Sequence, residues 1–283
     1  MNQRDIELLT TEQVLEVLTL GELEIIGRMA DASNATLVGA ATLDGASVSC
    51  VYKPQRGERP LWDFPDRTLG MREVATYIVS EAGAWHVVPP TVWRPTGPVG
   101  AGMAQAWVDP TTEVGSEPGS GLVDVVAQGR VPDRWRHVID AQEGRGRPVT
   151  LAHADDPALR AMALLDAVVN NADRKGGHVL LGRTARDGTD RVYGVDHGLT
   201  FHEDDKLRTV LWGWAGAELD ATELANLAQL AGSLEDGPLQ ADLVHLLSDL
   251  EVDATRWRVQ QLITEGRFPQ PGQERHWLPW PAF

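Results

Sequence analysis

The apolar pattern of this chain changes period part-way along, and that change divides it into two unlike halves. Up to about residue 108 the apolar residues fall in short runs, Leu23 to Met29, Ala35 to Thr42 and Ser47 to Lys53, each of strand length and bounded by turn residues. Leu43-Asp44-Gly45-Ala46 joins the last two, and its Asp-Gly pair is a hairpin signal, so an antiparallel sheet is expected. A short helix precedes the strands: Thr10 and Gln13 form a capping box ahead of Val14, Leu15, Val17 and Leu18, and Gly21 closes it. A second helix, Arg67 to Glu81, sets Met71, Val74, Ala75 and Ile78 on one face and ends at Gly83. Further strands are expected around Thr91 to Arg94 and over Met103 to Val108.

The run Gly115-Ser116-Glu117-Pro118-Gly119-Ser120-Gly121 holds three glycines, a proline and two serines, a composition that sustains neither helix nor ladder. Beyond it the pattern turns helical. Asp156 before Pro157 is an N-cap and first-turn pair opening a helix that carries Leu159, Met162, Ala163, Leu165 and Val169. Asp220 with Glu223 caps another, ending near Gly232; Leu239 to Leu250 is amphipathic; Asp253 to Glu265 stops at Gly266. The expected fold is α+β and two-lobed: an antiparallel-sheet N-lobe over 1–110, a linker over 111–121 and a helical C-lobe over 122–283.

Charge and composition narrow the partners. The 283 residues carry a formal charge of −16, which disfavours sequence-independent attraction to nucleic acid or an anionic membrane. Cys50 is the single cysteine, so neither an intrachain disulfide nor a thiolate metal cluster can form. Residues Met1 to Thr10 lack the charged-then-apolar pattern of a signal peptide, and no window approaches eighteen apolar residues. The expectation is a cytoplasmic protein with no nucleic-acid partner and no stable membrane insertion.

The chemistry concentrates in Asn170-Asn171-Ala172-Asp173-Arg174-Lys175-Gly176-Gly177-His178 and, further on, Val195-Asp196-His197-Gly198. Phosphoryl transfer needs one carboxylate to orient a hydroxyl, a second ligand to hold a divalent cation, and a second carboxylate to bridge that cation to phosphates. Asp173, His178 and Asp196 fill those roles in order. Taken singly, each carboxylate reads as an ordinary helix-terminal or turn residue; the order and spacing of the set carry the reading. Asn170 and Asn171 read as helix-end and loop supports. Ala30-Asp31-Ala32-Ser33-Asn34 is a small polar hairpin whose Ser33 and Asn34 could offer backbone N–H groups to phosphates. Trp212 and Trp214 read as packing, and Glu203-Asp204-Asp205 as a solvated acidic loop.

This layout resembles the protein-kinase-like superfamily, and specifically its phosphatidylinositol 3/4-kinase-related and HipA-type branch. In that branch the catalytic loop looks like DRxxxN; here Asp173 to His178 keeps the Asp, the following Arg and the five-residue step. Asp196-His197-Gly198 matches the DFG turn, Lys53 the nucleotide lysine and Glu73 its helix glutamate. The resemblance implies ATP as donor, Mg or Mn as cofactor, and a hydroxyl acceptor on a protein or small molecule. It implies that Lys53, positioned by Glu73, holds the α and β phosphates, that His178 and Asp196 bind metal, and that Asp173 orients the acceptor. Arg174 and Lys175 become candidates for neutralising the transferred group, and Gln105, Trp107 and Val108 occupy the hinge where backbone groups would meet adenine.

Two departures stand out: His178 replaces the usual Asn, and His197 replaces the usual apolar residue of the turn. An imidazole ligand favours borderline metals such as Mn or Zn more than Mg. Two rival readings stay open. One is a metal-dependent phosphohydrolase using His153, Asp155, Asp156, His178, Asp196, His197 and His202; the other is a catalytically weak nucleotide-binding scaffold.

Overall fold

The computed structural model describes residues 8–29, 34–111, 121–144, 146–272 and 276–283. The N-lobe opens with α1 (Thr11–Leu20), whose Thr10–Gln13 capping box and Gly21 terminus are as the sequence implies. Strands β1 (Glu22–Arg28), β2 (Leu37–Leu43) and β3 (Ala46–Pro54) follow, then α2 (Leu69–Ala82), β4 (Thr91–Arg94) and β5 (Gly102–Ala106). They form one antiparallel sheet in the order β1-β2-β3-β5-β4. Asp44 and Gly45 both take positive φ in the β2–β3 turn, the backbone that a two-residue Asp-Gly hairpin requires. Val14, Val17 and Leu18 of α1 pack against Val48, Cys50 and Tyr52 of β3 to make the N-lobe core.

A short β6 (Asp109–Pro110) leads to the stretch expected as linker; its residues 112–120 lie outside the described residues. The chain beyond is not purely helical, which corrects the expectation for 122–283. β7 (Val123–Ala127), β8 (Trp135–Glu143) and β9 (Arg147–Ala154) form a second antiparallel sheet in the order β7-β9-β8. It was hard to see because β8 is half-buried to exposed along its whole length, so no alternation of apolar and polar residues marks it.

Then come α3 (Pro157–Val169), β10 (Val179–Arg183), β11 (Arg191–Gly194), α4 (Ala221–Glu235), α5 (Pro238–Leu246) and α6 (Asp249–Glu265). Two boundaries differ from expectation. The amphipathic run from Leu239 stops at Leu246, and Ser248 with Glu251 forms a capping box that starts α6 four residues before Asp253. Ser248 accepts the Glu251 N–H, and that reciprocal cap outcompetes continuation of α5.

The large core lies in the C-lobe, around Leu159, Met162, Leu165, Trp214, Leu230 and Leu262. Helix α2 spans the two lobes. Its Arg72, only 1% exposed, donates to the Thr200 carbonyl at 2.6 Å and pairs with the Glu251 carboxylate of α6. Among the described residues no helix is long and apolar enough to cross a membrane.

His153 of β9 illustrates a polar group sealed into this core. It is fully buried, its Nε2 accepts the Gly213 N–H at 3.1 Å, and Nδ1–H donates to the Ala154 carbonyl at 2.9 Å. Burial pushes it down to about 4, whereas a free imidazole titrates near 6.5. The unfolded chain therefore takes up a proton that the folded one refuses. The resulting stability is fully present above about pH 6.5 and is lost as pH falls towards about 4. Between pH 7.5 and 4.5 the wild type should lose about 2 to 3 kcal/mol more than His153→Gln. Urea midpoints of both proteins at the two pH values measure this, and equal losses would exclude His153 as the source.

Candidate active site

The candidate site is built where four pieces of chain enter the cleft between the lobes: the end of β3, the second turn of α2, and the loops that follow α3 and β11. Lys53 lies on β3, one residue from its end, and Glu73 lies one turn into α2. Thr68, at the N-cap of α2, gives no side-chain cap. The Glu58 carboxylate takes that place, accepting the Leu69 and Gly70 N–H groups at 3.1 and 2.9 Å. An anion there satisfies two orphan donors and complements the helix dipole.

Lys53 Nζ is 2.7 Å from Glu73 Oε1 and 2.7 Å from Asp196 Oδ1. Burial works against this ammonium, but the Asp196 and Glu73 carboxylates outweigh it and lift Lys53 above the ordinary lysine range. The same lysine holds Asp196 well below the usual carboxylate range. Glu73 is pushed up to about 7 by burial, with Lys53 opposing. Asp196 adopts φ +60, a left-handed backbone that is uncommon for a residue with a side chain and concentrates at functional sites.

Helix α3 delivers the other half. Asp156 caps it, with Pro157 in the first turn. At its end Asn170 turns left-handed, with φ 54 and ψ 51. Its amide donates to the His202 and Asp204 carbonyls and accepts from Lys206 N. Asn171 Oδ1 accepts the Asp173 N–H at 3.0 Å. Both asparagines are thus supports, as expected. The Asp173 carboxylate, partly exposed, lies 3.1 Å from Lys175 Nζ. Burial raises it above the ordinary aspartate range, against the pull of Lys175, and a carboxylate of raised basicity is the better proton acceptor.

Arg174 does not join them. Its guanidinium is fully buried, bonded to Asp166 at 2.9 Å, to the His178 and Val195 carbonyls at 3.3 and 3.2 Å, and to His197 Nε2 at 2.5 Å. It braces the two loops from behind and has no path to a transferred phosphoryl group, which corrects its candidacy as a catalytic residue. Asp166 is the signal that was missed. It is the one charge in the apolar stretch Ala161 to Val169, and a carboxylate carried into a core demands a buried partner.

His178 stands beside Asp196, Nε2 to Oδ2 being 3.5 Å, and its Nδ1 is buried without a partner. Burial pushes His178 down to about 4, so the imidazole is neutral and its lone pair is free at pH 7. One neutral ring nitrogen and one carboxylate oxygen at this spacing can share a divalent cation, since each bond would be about 2.0 to 2.2 Å. A donor set of one imidazole nitrogen and one carboxylate oxygen suits Mn better than Mg, which prefers oxygen ligands throughout. Among the described residues no group of three or more His, Cys, Asp and Glu side chains is set to hold a metal. His197 points inward instead, and burial, with Arg174 adding, holds it well below the ordinary histidine range.

Lys53, Glu73, Asp173, Lys175 and Asp196 line one cavity of about 230 Å³, together with Glu58 and Arg59, which the sequence reading missed. Nothing in the local pattern marks Arg59; the fold alone turns it inward. Asn34 also lines the cavity, but its side chain accepts the Arg59 N–H; Ser33 lies outside the described residues. The hinge candidates are not brought to this cavity. Gln105 is buried within β5, paired with Val51 and Thr91 and donating to the Thr91 hydroxyl. The Trp107 N–H goes to the Ser49 carbonyl at 2.8 Å, and Val108 is buried.

Apart from His178, Asp196 and the inward-facing His197, the residues of the hydrolase alternative are scattered and occupied. His153 is in the core, Asp155 pairs with Arg136, Asp156 caps α3, and His202 meets the edge of Phe64.

No protein-family model matches the chain. It is 48% identical over 270 residues to Protein Rv2133c of Mycobacterium tuberculosis (strain ATCC 25618 / H37Rv), covering 94% of each. Among solved structures it is similar to the Golgi casein kinase with Mn/ADP bound, with TM-score 0.54 and 13% identity, over 90% of this chain and 75% of that one. It is also similar to hydra Fam20 with sugar, with TM-score 0.50 and 11% identity, over 94% and 89%. The two-lobed α+β fold is therefore protein-kinase-like.

Proposed function

The chain belongs to the family of Protein Rv2133c from Mycobacterium tuberculosis, and we propose that it is an ATP-dependent phosphotransferase that moves the γ-phosphoryl group to a hydroxyl of a protein or small-molecule acceptor. The observation that carries this reading is Lys53 held between Glu73 and Asp196, 2.7 Å from each, with Asp173 lining the same cavity. A lysine shared by a helix glutamate and a turn aspartate is the arrangement that phosphate positioning requires. The step from Asp173 to His178, with Asp196-His197-Gly198 after it, supports placing the chain near the phosphatidylinositol 3/4-kinase-related and HipA-type branch.

In this reading Lys53 neutralises the α and β phosphates and Glu73 keeps its ammonium pointed at them. Asp173 takes the proton of the acceptor hydroxyl as its oxygen bonds to the γ phosphorus, and the bond from γ phosphorus to the β-phosphate bridging oxygen breaks to release ADP. Lys175 offsets the charge beside Asp173. His178 and Asp196 are the residues that would hold Mg or Mn, which when bound supplies positive charge at the β and γ phosphates. The similar Golgi casein kinase structure has Mn/ADP bound, which supports nucleotide and metal use here.

Without a divalent cation the phosphates would face the Asp173 and Asp196 carboxylates, so nucleotide affinity should be weak. Calorimetric titration of ATP with and without Mg or Mn tests this. At least a ~10-fold tightening with metal is expected, or about 1.4 kcal/mol; equal affinity in both conditions would sink the assignment.

A further inference from the structure

Half of the candidate catalytic loop is braced by the Asp166–Arg174 network, which leaves open what holds the outer half, Lys175 to Gly177. The answer is a distant segment, residues 276–283. The Gly176 N–H donates to the Ala282 carbonyl at 2.8 Å. A Cβ built on Gly176 would overlap the Phe283 ring, whereas one on Gly177 would meet nothing. Glycine at 176 is thus dictated by the ring lying across it.

The other end of the segment is anchored independently. The Trp277 carbonyl accepts from Thr209 N at 3.3 Å and from Trp212 Nε1 at 2.7 Å, and the Arg208 guanidinium donates to the His276 carbonyl at 3.1 Å. The Trp212 and Trp277 rings meet edge to face, with centroids 6.4 Å apart. The 208–210 stretch is itself bonded to the catalytic loop: Arg174 N donates to the Arg208 carbonyl and Val210 N to the Arg174 carbonyl. Leu278, Ala282 and Phe283 lean on the C-lobe core. The segment therefore closes a ring of contacts, from the 208–212 stretch through itself to Gly176 and back through Arg174.

We infer that residues 276–283 are a positioning strap for this loop: Trp277 seats the strap, and Ala282 with Phe283 pin Gly176 and so fix Lys175 and His178 on either side of it. This rests on the phosphotransfer reading of the site. Phe283 touches no reacting group in that reading; it acts through the turn. A misplacement near 1 Å is enough to slow a positioned reaction by about 100-fold, so the strap has leverage without contact.

The test compares wild type with Phe283→Ala, Phe283→Tyr, Gly176→Ala and the double variant Gly176→Ala/Phe283→Ala. Amide hydrogen exchange over residues 173–178 and single-turnover consumption of Mn-ATP are read beside melting temperature. Phe283→Ala should exchange faster in the turn and lose ~10- to 100-fold in turnover per folded molecule. Phe283→Tyr, which keeps the ring, should restore both. Gly176→Ala alone should resemble Phe283→Ala, and the double variant should be no worse than either single change, because the ring that the added methyl group would strike is gone. Unchanged exchange in Phe283→Ala, or faster exchange with wild-type turnover, would overturn the strap. So would a turnover loss that only tracks the unfolded fraction. A wild type that consumes no ATP would sink the phosphotransfer reading instead, and the exchange result alone would then decide whether the strap exists.

Discussion

Asp173→Ala should lose a factor of ~10² to 10⁴ in single-turnover ATP consumption while binding ATP within a few fold of wild type. The separation follows from the geometry. Asp173 pairs with Lys175 at 3.1 Å and takes no part in the Lys53–Glu73–Asp196 contacts, so removing it deletes a proton acceptor and leaves the phosphate-holding groups in place. Asp196→Ala should behave differently. Asp196 is bonded to Lys53 through one oxygen and faces His178 with the other, so its loss should abolish metal-dependent nucleotide binding together with turnover. Equilibrium binding and turnover, measured on both variants, decide the division of labour. It would be wrong if Asp173→Ala kept wild-type turnover, or if it lost nucleotide as completely as Asp196→Ala.

Arg174→Ala should destabilise the protein by about 3 to 5 kcal/mol, because it strands a buried carboxylate. Arg174 and Asp166 are both fully buried, and the guanidinium makes bonds to Asp166, to two loop carbonyls and to His197. Thermal unfolding should show a drop of roughly 5 to 8 °C at this chain length. Arg174→Lys should recover little, since a single ammonium cannot reproduce the planar fork that spans Asp166 and both carbonyls. A variant with wild-type stability and a selective loss of turnover would return Arg174 to the reacting groups and refute the brace.

That pair also shows where the sequence was legible and where it was not. The β2–β3 hairpin, the α1 and α4 capping boxes and the Asp156–Pro157 start of α3 were readable because each is set by residues a few positions apart. Asp196 was named from its motif and Lys53 and Glu73 from the family resemblance, and the fold brings the three within bonding distance. The direction of Arg174 was not readable. Two adjacent cations in one loop look alike in sequence, and only the buried Asp166 decides that Arg174 turns in while Lys175 lines the cleft. The β7-β9-β8 sheet was missed for a related reason: its outer strand has no apolar stripe. The hinge candidates Gln105, Trp107 and Val108 fell on the expected stretch of chain, but the ladder and Ser49 had already claimed Gln105 and the Trp107 N–H.

The pairing of Arg72 with Glu251 and Thr200 has a mechanical meaning. Glu73 is the next residue, so the carboxylate that steadies Lys53 is bolted to α6 of the C-lobe, while Lys53 itself rides on the sheet of the N-lobe. Helix α2 therefore belongs to both lobes, its Glu73 meeting the N-lobe sheet at Lys53 and its Arg72 tied to α6. Pulling α2 away from the C-lobe would expose an ion pair now sealed from water, a costly step. The 2.7 Å Lys53–Glu73 contact is thus the point at which the N-lobe sheet is tied, through a single turn of α2, to the C-lobe.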